Sequence, residues 1–150
     1  MHLKVPPPVV GAFAFFLIWL LARLTAGLTF TFPGQSVGAA VLAAAGLSLD
    51  MSSLVAFLKA RTTILPTDPS RSTTLVQSGL YRISRNPMYL GLAVLIAAFG
   101  LWLGSPLALL VLGAFIWYIT EFQIKPEEHH LRQLFGAEYE TYCRRVRRWI

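Results

Sequence analysis

Charge is what this sequence has least of. Only 13% of its 150 residues are charged, while 55% are hydrophobic and the mean hydropathy is +0.59. Soluble domains typically carry about 25% charged residues. So much apolar surface cannot be hidden inside a soluble domain of this size, which points to lipid as the solvent. Cysteine is nearly absent too. The single Cys143 excludes an internal disulfide and any Cys-based metal cluster. No G-x-G-x-x-G occurs between a strand and a helix, so the soluble dinucleotide-type cofactor fold is not expected. There is no soluble basic domain either, so the net charge of +6 does not point to nucleic acid. Repeats and low-complexity tracts are missing.

What the chain does have is long apolar runs. A spanning helix needs roughly 20 mostly apolar residues. Windows at about 8–30, 36–58, 87–104 and 105–124 meet that length, the last two separated only by Gly104-Ser105-Pro106. The expectation is an all-α integral membrane protein, a single domain over residues 1–150 with about four transmembrane helices. The first run is longer than a signal-peptide core and lacks a convincing small-x-small cleavage site, so it reads as a retained span.

The basic residues settle the orientation. With four spans, the N-terminus, the loop between spans two and three and the tail share one side. Of 13 Lys and Arg, 12 fall there, and only Arg23 does not. By the positive-inside rule that side is cytoplasmic, which makes both termini cytoplasmic and suggests a bacterial inner membrane. Contact with anionic membrane lipids is a secondary expectation.

Span two contains Asp50, a costly residue inside a bilayer unless it faces protein or water. Arg23 is a poor partner, because helical rise puts the two backbones about 9 Å apart in depth. Two readings stay open: a half-buried Asp bonded to a neighbouring helix, or one lining a cavity. Arg23 itself is expected to snorkel to the outer interface.

Outside the spans, Pro66 and Pro69 forbid a continuous helix early in the middle loop. From Ser72 to Ile83 the apolar spacing suits a short surface helix interrupted by Gly79. Pro87 fits the first turn of span three, and the helix N-terminus there is an intrinsic anion site beside Arg82 and Arg85. In the tail, Leu131, Leu134, Phe135, Tyr139, Tyr142, Val146 and Trp149 fall on one helical face, with Gly136 as a break. Glu127-x-x-His130 is half of a di-iron pattern, but no second Glu-x-x-His exists, so no metal is expected.

Two blocks carry a resemblance: GLYRISRNPMYLG at 79–91, and PEEHHLRQLFGAEYETYCRRVRRW at 126–149, one helical hairpin apart. Together they resemble the isoprenylcysteine carboxyl methyltransferase and phospholipid N-methyltransferase superfamily of integral membrane enzymes, over about residues 65–150. The family reads G-x-Y-R-x-x-R-H-P-x-Y-x-G, a hairpin, then E-E-x-x-L-x-x-x-F-G-x-x-Y-x-x-Y. The resemblance implies methyl transfer from S-adenosylmethionine, the cofactor lying between the hairpin and a cytoplasmic cap of middle loop and amphipathic tail helix. It assigns cofactor binding to Tyr81, Arg85, Asn86, Tyr89, Gly91, Glu127 and Glu128, and catalysis to Arg85 and Arg145. Asn86 stands where the family has His, and Arg147 where proline is common.

The residue types agree with that chemistry. Carboxylates such as Glu127 and Glu128 suit a ribose diol and an ammonium through charge-assisted hydrogen bonds. An arginine or a helix N-terminus suits a carboxylate, and aromatic rings suit a sulfonium. Transfer from a sulfonium is an in-line displacement, so positioning supplies most of the catalysis. No residue stands out as a base, which favours a carboxylate or other oxygen or sulfur acceptor over an amine. A lipophilic acceptor of the isoprenylcysteine carboxyl type is therefore expected, with a phospholipid amine, or a non-catalytic protein on the same scaffold, as alternatives.

Overall fold

The computed structural model describes residues 5–59 and 75–150. Lys4, Arg61, Pro66, Pro69, Arg71 and the start of the surface helix expected from Ser72 lie outside the described residues. Five α-helices follow in order: α1 (Pro7–Leu24), α2 (Gln35–Lys59), α3 (Pro87–Leu103), α4 (Ala108–Ile119) and α5 (Lys125–Arg145). Among the described residues the β-structure is one isolated bridge, Ser84 with Arg147. The all-α membrane class is as expected.

Three helical stretches are long and apolar enough to cross a membrane: Pro7–Leu24, Gln35–Lys59 and the continuous Ala108–Arg145. The third expected span is the shorter apolar helix α3, 17 residues or about 25 Å long, at the lower limit for crossing. Exposed Phe13, Phe16, Val37, Val41, Leu109, Leu110 and Trp117 give these helices an apolar outer surface.

Several boundaries differ from the sequence windows. Helix α1 stops at Leu24 rather than near residue 30. Thr25 leaves helical geometry, turns its hydroxyl back to the Leu21 carbonyl, and passes the chain to a 3₁₀ turn at Ala26–Leu28. Helix α4 does not end in a break before the tail. A π-helical turn, Thr120–Ile124, joins it to α5. Pro126 lacks an amide N–H, and the ladder accommodates this with the wider turn closed by Lys125 N–H on the Thr120 carbonyl. Over its described part, from Leu75 to Ile83, the expected surface helix is a 3₁₀ turn, Gly79–Arg82. The break at Gly136 is real: its φ of 48° and ψ of −121° kink α5.

Packing has two centres. Helices α1, α3 and α4 interlock through Ile18, Ile96, Val111, Phe115 and Ile119. The tail folds its aromatic face inward as Tyr139, Tyr142 and Val146, joined by Leu75, Leu131 and Phe135. Leu134, expected on that face, is exposed. Helices α2 and α3 meet along a glycine seam. A Cβ on Gly91 would collide with the Asp50 carboxylate and lie 2.9 Å from the Gly46 carbonyl oxygen.

The two ends of the bundle are distinct. At one, Phe30 N–H bonds the Gly104 carbonyl at 2.9 Å, and buried Gln35 donates to Leu101 and Trp102 carbonyls. The other gathers Val5, the Gly79–Arg82 turn and the tail, with Gln123 donating to the Val5 carbonyl. The described basic residues other than Arg23 collect at this second end. Arg23 lies toward the first, exposed, its guanidinium over the Trp19 ring at 5.9 Å.

Candidate functional site

The segment before α3 and the segment after α5 pair side by side. Arg85 N–H donates to the Arg147 carbonyl at 3.0 Å, next to the Ser84–Arg147 bridge. Asn86 precedes Pro87, whose fixed φ suits the first helical turn. The Asn86 side chain does not cap α3. It donates instead to the Arg148 carbonyl at 3.0 Å, while its backbone N–H donates to the Ser84 hydroxyl. An amide thus holds the tail's end where the related family carries an imidazole.

Adjacent Glu127 and Glu128, on the first turn of α5, are used differently. Glu128 is buried and accepts from Arg85 Nη2 at 2.9 Å and from Arg148 Nε and Nη2 at 2.9 and 2.8 Å. The Arg148 contact is a two-pronged fork, the strong form of this pair. Burial alone would raise the Glu128 carboxyl, but the Arg148 hydrogen bonds and the charges of Arg85, Arg148 and Arg132 outweigh it and hold the group below its ordinary value. Among the described residues Glu127 has one hydrogen-bond partner, the Tyr89 hydroxyl, which donates at 2.7 Å. Burial pushes its carboxyl up to about 7, with the Tyr89 bond pulling down and the Glu128 charge pushing up.

Two tyrosines and an arginine complete the cluster. Tyr81 is buried, packs edge-on against Phe57 of α2 at 5.4 Å, and offers its carbonyl to the Tyr142 hydroxyl at 2.7 Å. Burial raises its phenol well above the usual value, with Tyr142 adding to the rise and contact with Ser53 opposing it. Arg85 leaves its Nε buried without a partner among the described residues, and His130 Nε2 is in the same condition. The end of the bundle therefore holds a spare donor on a cation, a carboxylate with open acceptor positions, and aromatic walls.

Of the sequence candidates, Tyr81, Arg85, Asn86, Tyr89, Glu127 and Glu128 come together. Gly91 does not face them, because it serves the α2 seam. Arg145 stands apart on the surface, donating to Gln77 Oε1 at 2.9 Å. The residue that sequence reasoning missed is Arg148, three positions beyond the helix end. Val146 has extended φ and ψ, so the alternation of a strand rather than a helix decides which arginine turns inward.

The family model for phospholipid methyltransferases matches residues 34–138. The chain belongs to the phospholipid methyltransferase family. It is 48% identical to an uncharacterized protein of Haemophilus influenzae over 63 residues, 42% of this chain and the whole of that one. Protein-S-isoprenylcysteine O-methyltransferase B of Arabidopsis thaliana is 33% identical over 72 residues, 48% of this chain and 36% of that protein. The Saccharomyces cerevisiae protein-S-isoprenylcysteine O-methyltransferase is 34% identical over 83 residues, 55% and 35% of the two lengths. This family member thus matches about a third of the length of those two relatives. No solved structure matches it.

Proposed function

We propose that the protein transfers a methyl group from S-adenosylmethionine to a lipophilic acceptor at the cytoplasmic face of a membrane. One observation carries this reading: Arg85, whose buried Nε has no partner among the described residues, shares a site with Glu127, a carboxylate bonded there by Tyr89, at the charged end of an apolar bundle. The residues fit the cofactor. Glu127 has acceptor positions for an ammonium or ribose hydroxyls, Arg85 Nε a proton for a carboxylate, and Tyr81 and Tyr89 faces for a sulfonium.

When bound, S-adenosylmethionine supplies an electrophilic methyl group. The chain's own task is placement. Glu128 fixes the Arg85 guanidinium from one side while its second oxygen holds Arg148, so Arg85 is a rigid reference for the cofactor carboxylate. Asn86 and the Ser84–Arg147 bridge hold the tail across the start of α3, which keeps water from that side of the pocket. An acceptor drawn from the bilayer meets the methyl group in line, and orientation is the main source of acceleration. The acceptors in the relatives' names are lipidated cysteines; here the class is a lipophilic molecule of the surrounding membrane.

The direct test is calorimetry of the detergent-purified full chain with S-adenosylmethionine, followed by transfer from labelled cofactor into a membrane lipid extract and mass spectrometry of the product. Binding without transfer to any lipid would favour a non-catalytic scaffold. No binding by folded protein overturns the reading. Orientation is tested separately: reporters within residues 65–75 and after Ile150 should lie in the cytoplasm, and one between Pro33 and Ser36 outside it.

A further inference from the structure

Helices α1 and α3 both start at the charged end of the bundle. Gln123 holds the Val5 carbonyl just ahead of α1, and Arg85 meets Glu128 just ahead of α3. From there α1 runs 18 residues and α3 runs 17, about 27 and 25 Å. The hydrocarbon core of a bilayer is about 30 Å thick, and tilt shortens the reach of a helix further. Helices that begin beside charged groups at one face therefore stop short of the water at the other. Their connections, residues 25–34 and 104–107, reach the boundary between acyl chains and headgroups of the distal leaflet.

The residues at that end suit such a depth. No Asp, Glu, Lys, Arg or His occurs from Thr25 to Leu49 or from Asn86 to Thr120. The first connection exposes Leu28, Phe30 and Phe32, the two phenyl rings stacked at 6.1 Å, and Trp102 is exposed at the same end. Its polar groups turn inward instead. The Thr25 and Thr29 hydroxyls donate to the Leu21 and Ala26 carbonyls. Phe30 N–H goes to the Gly104 carbonyl and Phe32 N–H to the Gln35 side chain. Gly104, with a φ of 62°, lets the two connections touch, since a Cβ there would strike the Phe30 carbonyl oxygen. Hydrogen bonds closed within the chain are what lipid demands of a backbone, and a turn in water has no need of them. Apolar side chains outward and polar groups inward invert the pattern of an aqueous loop.

We propose that the uncharged end stays submerged in the distal leaflet, with Leu28, Phe30 and Phe32 as a lipid-binding surface. Its partners are phospholipid acyl chains at the headgroup boundary, the depth at which interfacial apolar faces settle. The surface continues the exposed apolar flanks of α1 and α2, marked by Phe16, Val37 and Val41, so the same solvent covers both. Arg23, one residue before the end of α1, brings the one described cation of this end within a side chain's length of the distal phosphates. The proposal concerns lipid contact alone and does not depend on methyl transfer.

Nitroxide labels on single cysteines test this in the full chain, with a Cys143→Ala background reconstituted in phosphatidylcholine vesicles. Collisions with oxygen, which concentrates in lipid, are compared with collisions with a nickel chelate, which stays in water. Labels at Leu28→Cys and Phe32→Cys should give an oxygen-to-nickel ratio several-fold above that at Thr141→Cys in the tail. The ratio should approach that at Phe16→Cys, on the exposed face of α1. A ratio at the Thr141 level places the turn in water and overturns the proposal. Shielding from both quenchers reveals a protein contact, such as a second copy of the chain, and overturns it as well. Thr31→Cys, between the two rings, replaces either variant that fails to fold, and the same outcomes decide.

Discussion

The two ends of the bundle are fastened by different chemistry. At the uncharged end the ties are neutral and mostly to main-chain atoms: Phe30 to Gly104, and Gln35 to three backbone groups on two segments. The charged end relies on side chains, with Glu128 between Arg85 and Arg148, Tyr89 on Glu127 and Tyr142 on the Tyr81 carbonyl. What each end leaves unused also differs. Near the first, the Ser105 hydroxyl lacks a partner among the described residues; at the second, Arg85, Gln123 and His130 keep buried atoms unpaired. A neutral clasp is complete in itself, whereas ionisable groups with spare capacity are ready for a ligand.

The sharpest way to break this contrast is Glu128→Ala, which strands two arginines in a buried setting. Losing one partner of a buried ion pair costs about 3–5 kcal/mol. The midpoint of thermal unfolding in detergent should therefore drop further than for Glu127→Gln, Gln35→Ala or Arg145→Ala. Its pH signature has a definite sign. A carboxyl held below its ordinary value contributes stability above the unfolded value of 4.5 and loses it as pH falls through the folded one. Acid should therefore loosen the charged end first.

Glu127→Gln should do the reverse: little loss of stability, but weaker S-adenosylmethionine binding by about tenfold or more, as expected for a charge-assisted bond. With its carboxyl raised to about 7, wild-type Glu127 favours the folded state below 4.5 and gives up that advantage as pH rises through 7. Only the ionised form attracts an ammonium. Cofactor affinity should climb between about pH 6 and 8 in the wild type and stay flat in the Gln variant. An identical pH profile in both would remove Glu127 from the pocket.

Gln35→Ala probes the other end. It removes donors and an acceptor that hold two turns together, at about 1–3 kcal/mol for the groups left unmet. Thermal stability should fall while cofactor affinity does not move. Smallest of all should be Arg145→Ala. This exposed residue bonds only Gln77 among the described residues, and such surface changes stay within about 0.5 kcal/mol. Alanine substitutions at Arg144, Arg145, Arg147 and Arg148, compared at two ionic strengths, should single out Arg148. A uniform, salt-sensitive response would mean that the four form one lipid-binding cluster.

Much of this was legible in the sequence, because each spanning helix is written as a long apolar run and the polar blocks mark the charged end. Arg85, Asn86, Tyr89 and Glu127 stood out through the two blocks that resemble the membrane methyltransferases. The limits have physical causes. Four arginines within residues 144–148 look alike until the backbone leaves the helix at Val146, and that departure exchanges Arg145 for Arg148. Gly91 read as part of the cofactor block because its contact, Asp50, lies 41 positions earlier in the chain. The π turn at Thr120–Ile124 was hidden because Pro126 can start a helix as readily as it can widen one.

The bridge between Ser84 and Arg147 also makes one short segment the latch of the whole site. Helices α1 to α4 and both glutamates all precede residues 146–149 in the chain. Without that last segment Glu128 would meet Arg85 and, at 3.9 Å, Arg132, and the start of α3 would lack its bridge. The pocket is closed by Arg148 on Glu128 and by the Arg148 carbonyl on Asn86. The helices and both glutamates thus build an open cleft, and the short extended segment at 146–149 is what closes it.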